Sequence, residues 1–272
     1  MTESIEAHGF SIPLIGLGTW ALRGRECARL VEQAIRFGYR HIDAAQMYDN
    51  EREVGEAVRA SGKRREVVVT TKVQPTLLAP PDLERSVKES LARLRIDHID
   101  LLLIHWPNPR VPLSETLGAM AKMKREGYAR AIGVSNFTTA LLDEAAKVSP
   151  EPLVCNQIEC HPFLDQHKVI AACKKHGLAV VAYSPIARGG AKGNEVLERI
   201  GKAHKKSAAQ VSLRYLVQQG IAAIPRTSRI ERLEENLAVF DFTLSPEEMA
   251  EIGTLASPRG RIVDWTWSPK WD

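Results

Sequence analysis

The chain is short of the features that mark several large classes of protein. It has four cysteines in 272 residues, Cys27, Cys155, Cys160 and Cys173. They show neither CxxC spacing nor the density of a disulfide scaffold, which excludes a stapled secreted module. Cys160 beside His161 is the one pair that would tempt a metal; no metal is expected, and the thiols read as reduced and mostly buried. No apolar run approaches membrane-spanning length, and Met1 to Phe10 is polar with two glutamates rather than basic and then apolar. The expectation is a soluble cytoplasmic protein with no membrane partner. Charge of one sign is also scarce: a formal net charge of +4 comes from short, scattered clusters such as Lys63, Arg64, Arg65 and Lys205, Lys206. Nucleic-acid binders gather basic and aromatic residues on one surface, so no nucleic-acid partner is expected. No linker, short repeat or low-complexity tract divides the sequence. With 44% apolar residues it can bury a sizeable core, and one domain over 1–272 is expected.

What the sequence does contain is a regular alternation. Short apolar, β-branched runs fall at Leu14 to Gly18, Arg40 to Asp43, Val67 to Lys72, Ile99 to His105, Ala129 to Ser135, Val154 to Ile158, Ala179 to Ser184 and Ile221 to Pro225. Buried parallel strands read this way. Amphipathic stretches alternate with them at Arg25 to Phe37, Glu51 to Ala60, Pro81 to Leu94, Leu113 to Glu126, Ala140 to Lys147, Gln166 to His176, Ala208 to Gln218 and Arg229 to Leu237. Parallel strands need crossover helices, and eight such units close a sheet without an exposed edge. The predicted fold is therefore α/β, a (β/α)8 TIM barrel. An N-terminal β-hairpin over Ser4 to Ile12, turning at His8-Gly9, precedes it. Two extra helices are expected at Glu195 to His204 and at Pro246 to Leu255, the latter after Ser245 with Glu248 at capping-box spacing. Gly16-Leu17-Gly18-Thr19-Trp20-Ala21 also fits a dinucleotide-binding fingerprint, with Asp43 near the distance of its ribose-binding acid. Yet the helical pattern starts only after Gly24, and the strand count overshoots one mononucleotide half.

In such a barrel the active site lies at the C-terminal ends of the strands, which is where the polar residues fall. Asp43 ends the second strand, Tyr48 follows in its loop, Lys72 ends the third and His105 ends the fourth. Each alone has a bland reading: a helix cap, a core phenol, a solvated ammonium, a satisfied imidazole. On consecutive strands they read as an acid–base relay. A lysine pointing into a barrel needs an anionic partner to stay charged, and Asp43 can supply it. The ammonium beside Tyr48 is expected to bring the phenol pKa down from about 10 and make it a proton donor to a carbonyl oxygen. His105, if neutral, can donate a hydrogen bond to the same oxygen.

With these residues in place the chain resembles the aldo-keto reductase family over nearly its whole length. One motif runs Gly38-Tyr39-Arg40-His41-Ile42-Asp43-Ala44-Ala45-Gln46-Met47-Tyr48-Asp49-Asn50-Glu51, followed by Gly55, and another Asp100-Leu101-Leu102-Leu103-Ile104-His105-Trp106-Pro107. Gly133 to Phe137, Asn156 to Glu159, Ala182 to Pro185 and Ile224 to Thr227 follow in the family's order, then Arg232 and Glu235-Asn236. The resemblance implies NAD(P)H-dependent reduction of an aldehyde or ketone, without metal or flavin. It implies that Ser135, Asn136 and Gln157 hold the nicotinamide carboxamide and that Tyr183 stacks on its ring. Thr19, Trp20, Asp43, Ser184, Pro185 and Ile186 are assigned to the cofactor groove on the same ground. The rival reading is a cofactor-bound sensor or interaction subunit, against which the intact relay argues.

Arg226, Thr227, Ser228, Arg229 and Arg232 form a cationic, hydroxyl-bearing cluster after the eighth strand, where barrels often bind phosphate. Guanidinium groups pair bidentately with phosphate, so NADPH is expected over NADH. Glu235 and Asn236 would then face the adenine. Trp20 and Trp106, with Tyr48 and His105, are expected to contact substrate, since aromatic walls suit small, partly apolar compounds. Ala187 to Asn194 is short and Gly-rich, resembling compact bacterial reductases of keto-sugar acids or dicarbonyls such as methylglyoxal, and is placed over the pyrophosphate. The Trp-rich tail, with Trp265, Trp267 and Trp271, either shapes specificity or seals the barrel flank. A monomer is expected.

Overall fold

The computed structural model describes residues 3–272. Its eight parallel strands run in chain order around one sheet: β3 (Leu17–Gly18), β4 (His41–Asp43), β5 (Val68–Val73), β6 (Ile99–Ile104), β7 (Ala129–Ser135), β8 (Leu153–Glu159), β9 (Ala179–Tyr183) and β10 (Ala222–Ala223). The two edges meet. Gly16 donates to the Ala223 carbonyl (2.9 Å), Ala223 to that of Leu14 (2.8 Å), and Gly18 to that of Pro225 (3.2 Å). The barrel thus closes, and the open dinucleotide-binding sheet is not formed: Gly16 and Gly18 serve this seam, while the first long helix begins only at Gly24. Regular pairing at β3 and β10 is two residues long, shorter than expected, and at their seam Pro225 has no N–H to donate back.

A hairpin of β1 (Ser4–Ala7) and β2 (Phe10–Pro13) covers the barrel's N-terminal end. Its turn residues His8 and Gly9 are both left-handed (φ 48° and 77°), the backbone that a two-residue hairpin loop requires. His8 approaches Gly177 just before β9, and Ile5 approaches Gly220 just before β10.

Seven helices of the outer ring were expected close to where they lie: α1 (Gly24–Phe37), α2 (Glu51–Ala60), α3 (Pro80–Leu94), α4 (Leu113–Arg125), α5 (Thr139–Val148), α6 (His167–Lys175) and α8 (Ala208–Val217). Each buries one apolar stripe against the strands. Gly55 is where α2 and α3 touch: an added Cβ would strike the Leu94 carbonyl. The eighth, α9 (Glu231–Leu237), starts two residues later than expected, because the Thr227 hydroxyl takes the Arg229 amide (3.0 Å) into a local turn. The extra helices are α7 (Glu195–His204) and α10 (Pro246–Gly253). With α8 they enclose a small second core around Leu197, Ile200, Val211, Leu244 and Ile252. The capping box predicted at Ser245 and Glu248 is formed. Among the described residues no helix is long and apolar enough to cross a membrane.

Candidate active site at the barrel mouth

Strand register decides what faces inward. Asp43 pairs with Thr70 and Lys72 with Leu103, and residues two apart share a face. Asp43 and Lys72 therefore both point into the barrel, with fully buried side chains. The Lys72 Nζ donates to Asp43 Oδ1 (2.5 Å), to the Ala44 carbonyl (3.0 Å) and to Tyr48 Oη (3.2 Å). All three of its N–H bonds are taken, which fixes the ammonium in place. Burial pulls Lys72 down, but Asp43 and Tyr48 outweigh it and its pKa lies above the ordinary lysine value.

Tyr48 rides on a short 3-10 turn, Gln46–Tyr48. Gln46 pins this turn, donating to the Ser86 carbonyl (3.2 Å) and Ser90 Oγ (3.1 Å) and accepting from the Gln74 amide (3.0 Å). The expected fall of the Tyr48 pKa is not found. Burial raises it above the usual phenol value, and the nearby Lys72 only partly offsets that. His105 packs edge-on against Tyr48, ring centroids 5.5 Å apart. Burial, then Lys72, hold it well below the ordinary histidine value, so the imidazole is neutral at pH 7. Among the described residues its buried Nδ1 has no partner, which leaves Nε2 as the nitrogen that can carry a proton toward the cavity.

Asp43, Tyr48 and His105 border a cavity of about 770 Å³ lined also by Ser135, Asn136, Gln157, Tyr183, Ser184, Pro185, Ile186 and Arg226, with Lys72 buried behind them. Gln157 Nε2 donates to Asp43 Oδ2 (2.7 Å). Asn136 donates to the His105 carbonyl (2.9 Å) and accepts from the Tyr183 hydroxyl (2.8 Å). Ser135 donates to the Gln157 carbonyl (2.8 Å). Asn136 and Ser184 are left-handed (φ 63° and 50°), a strained backbone of the kind that gathers at binding sites.

Trp20 and Trp106 both line the cavity. Other expected contacts lie elsewhere. Thr19 is fully buried and spends its hydroxyl on the Asp43 carbonyl (2.8 Å). Thr227 is tied to Arg229, Arg229 pairs with Glu231 (3.7 Å), and Arg232 pairs with Glu235. Asn236 is buried beside Tyr39, and Ser228 is exposed on the same turn. None of these lines the cavity, whose cationic end is formed by Arg226 and Arg188. Met47, Ile224 and Val263 are lining residues that the sequence reading did not single out, while Arg188 belongs to the 187–194 stretch expected over the pyrophosphate. Arg188 sits in the Gly-rich turn after β9 with its guanidinium 4.9 Å from the Trp20 ring centroid. Its sequence signal was its place, with Lys192, as a cation in that Gly-rich stretch. His161, beside Cys160, turns to Glu159 (2.9 Å).

A closed parallel barrel with a buried lysine–carboxylate pair and a phenol at its C-terminal mouth defines a class of catalytic barrel. The chain belongs to the aldo/keto reductase family, whose model matches residues 14–256. It is 40% identical to methylglyoxal reductase DkgB of Escherichia coli O157:H7, over 94% of this chain and 99% of that one. It is 42% identical to the 9,11-endoperoxide prostaglandin H2 reductase of Trypanosoma cruzi, over 90% and 88%. A crystal structure of a candidate 2,5-diketo-D-gluconic acid reductase B superposes with a TM-score of 0.98 at 44% identity, covering 100% of this chain and 98% of the other. The aldose reductase of Schistosoma japonicum superposes at 0.90 with 34% identity, over 94% of each chain. Membership implies carbonyl reduction with a nicotinamide cofactor.

Proposed function

We propose that this protein reduces aldehydes and ketones to alcohols with NADPH, and that Tyr48 gives the proton to the carbonyl oxygen. The observation that carries the reading is the saturated ammonium of Lys72. Because Tyr48 Oη accepts one of its N–H bonds (3.2 Å), the phenol's own proton is left for a substrate in the cavity. With its pKa above the usual phenol value, Tyr48 stays protonated through neutral pH. When it gives the proton up, the phenolate forms beside a fixed cation. Asp43 keeps Lys72 charged, and neutral His105 donates from Nε2 to orient the carbonyl oxygen.

The residues present suit a nicotinamide cofactor. Ser135, Asn136 and Gln157 would hold its carboxamide: Gln157 Nε2 is spent on Asp43, and no donor among the described residues takes its Oε1, which can accept an amide N–H. When bound, the cofactor supplies hydride to the carbonyl carbon. Tyr183 offers the ring face that would back the nicotinamide. Arg226 is exposed and, among the described residues, makes only a bond to the Trp20 carbonyl (3.3 Å), so its charge is available to a 2'-phosphate; this supports NADPH over NADH. The relatives named for methylglyoxal and 2,5-diketo-D-gluconic acid point to small dicarbonyls or keto-sugar acids as substrates. A cytoplasmic monomer completes the reading, to which four free, buried cysteines are suited.

The test is oxidation of NADPH and of NADH with methylglyoxal, an aromatic aldehyde and a keto-sugar acid, for wild type and Tyr48→Phe. The variant should lose about 10²- to 10⁴-fold in kcat while binding NADPH as wild type does. Undiminished turnover, or lost NADPH binding, would defeat the assignment of Tyr48.

A further inference from the structure

Glu159 is a fully buried carboxylate that the reaction above does not use. It ends β8 two residues after Gln157, on the same inward face and one rung nearer the mouth. Its oxygens are held from outside the barrel. The Ile262 amide donates to Oε1 and the Val263 amide to Oε2, each at 2.8 Å, while His161 Nε2 shares Oε1 (2.9 Å). Two successive backbone N–H groups more than 100 residues downstream are thus clamped by one anion. Charge-assisted bonds of this kind are stronger than neutral ones.

Immediately beyond the clamp, the chain becomes the wall of the cavity. Val263, Trp265 and Trp267 all line it. Trp267 packs edge-on against Trp106, ring centroids 5.0 Å apart, and Trp265 stacks beside Trp267 at 6.2 Å. Trp265 and Trp267 are half exposed, so burial alone does not hold them. Farther along, Trp271 donates from Nε1 to Asp264 Oδ1 (2.9 Å) and lies under the Arg261 guanidinium (3.7 Å to the ring centroid), and Asp272 accepts from the Thr139 amide (3.0 Å) at the start of α5.

We propose that Glu159 is a positioning residue for substrate selectivity: it sets the place of residues 262–263 and through them holds Trp265 and Trp267 as the wall that receives bulky aromatic or apolar carbonyl compounds. Small dicarbonyls do not reach that wall and do not depend on it. The inference rests on the carbonyl-reductase reading given above.

Glu159→Ala removes both acceptors; Glu159→Gln keeps one and turns an amide N–H toward the other donor. The ratio of KM for an aromatic aldehyde to KM for methylglyoxal should rise up to about tenfold in Glu159→Ala, the size of a lost aromatic contact, and less in Glu159→Gln. The kcat values should hold. Ile262→Pro deletes one donor without touching the barrel, and Arg261 is already extended (φ −65°, ψ 132°), as the residue before proline must be. It should shift the ratio the same way. Acrylamide quenching of tryptophan fluorescence should increase in both variants. An unchanged KM ratio in Glu159→Ala and Ile262→Pro, or equal losses for large and small carbonyls, overturns the proposal. So does unchanged quenching, a readout that stands even where no carbonyl is turned over and the reductase reading itself has failed.

Discussion

The relay side of the cavity and its C-terminal wall are held by different means. Asp43 and Lys72 sit on neighbouring strands, fully buried, with every N–H of the lysine satisfied. Their positions are those of the barrel's own hydrogen-bond ladder, and nothing short of moving a strand displaces them. The wall opposite belongs to no helix or strand. It consists of half-exposed tryptophans on an irregular segment, fixed by the Glu159 clamp, the Asp272 cap and ring-to-ring contacts. Chemistry placed on strands is rigid, and selectivity placed on a strapped segment can change without disturbing it. The two sides should therefore respond to damage in different currencies: the relay in turnover and stability, the wall in KM.

The largest effect expected from an attack on the relay is that of Lys72→Met. It removes the fixed cation and leaves Asp43 buried with only the Gln157 amide beside it. Losing one partner of a buried pair costs about 3–5 kcal/mol of stability. Turnover should fall about 10²- to 10⁴-fold even in the fraction that folds. Denaturant unfolding and single-substrate kinetics check both; a variant as stable as wild type would show that Asp43 is not left as an uncompensated buried charge.

Acid should separate the two sides next. His41 lies inside the barrel below Asp43, its Nε2 2.9 Å from Thr70 Oγ1. Burial lowers it from 6.5 to about 4, and His105 is lowered as well. Both are bases that stay neutral when folded and gain a proton when unfolded, so the unfolded state binds more protons between about pH 6.5 and 4. Stability is present above pH 6.5 and lost as pH falls through that window, by roughly 2 kcal/mol at pH 5 for His41 alone. Urea midpoints at pH 7 and pH 5 should show this drop, and Glu159→Ala should show the same drop from its own baseline. A flat profile would mean that His41 is solvated in the folded protein.

The same contrast governs what the sequence discloses. Asp43, Lys72 and His105 could be read as a site because each ends a short apolar strand, and the period of two then fixes which way it points. The direction of the Tyr48 pKa could not, since the sign depends on how deeply the phenol is enclosed, and a neighbouring lysine pulls the other way. The cationic cluster after β10 was legible as composition but not as geometry. Which arginine stays free depends on Glu231 and Glu235 capturing the other two. Glu159 was in plain view beside Gln157, yet its partners are backbone amides of residues 262 and 263, which no side-chain pattern announces. Helix α9 starts late for a like reason, a threonine hydroxyl competing for one amide.

The smallest expected effect is the sharpest probe of the wall. Trp267 borders the catalytic cavity on one side and, on the other, a second cavity of about 570 Å³ between the 107–113 segment and α5, lined by Leu113, Phe137 and Leu141. Trp267→Ala therefore removes the edge-on contact with Trp106 and opens one space into the other. An aromatic pair of this kind contributes about 0.5–1.5 kcal/mol, so KM for benzaldehyde should rise about 2- to 10-fold with kcat unchanged. An aldehyde carrying a longer apolar chain should lose less, or gain, because the chain can enter the apolar space behind the missing ring. Equal losses for the short and long aldehydes would mean that the second cavity stays closed and that Trp267 only seals the flank.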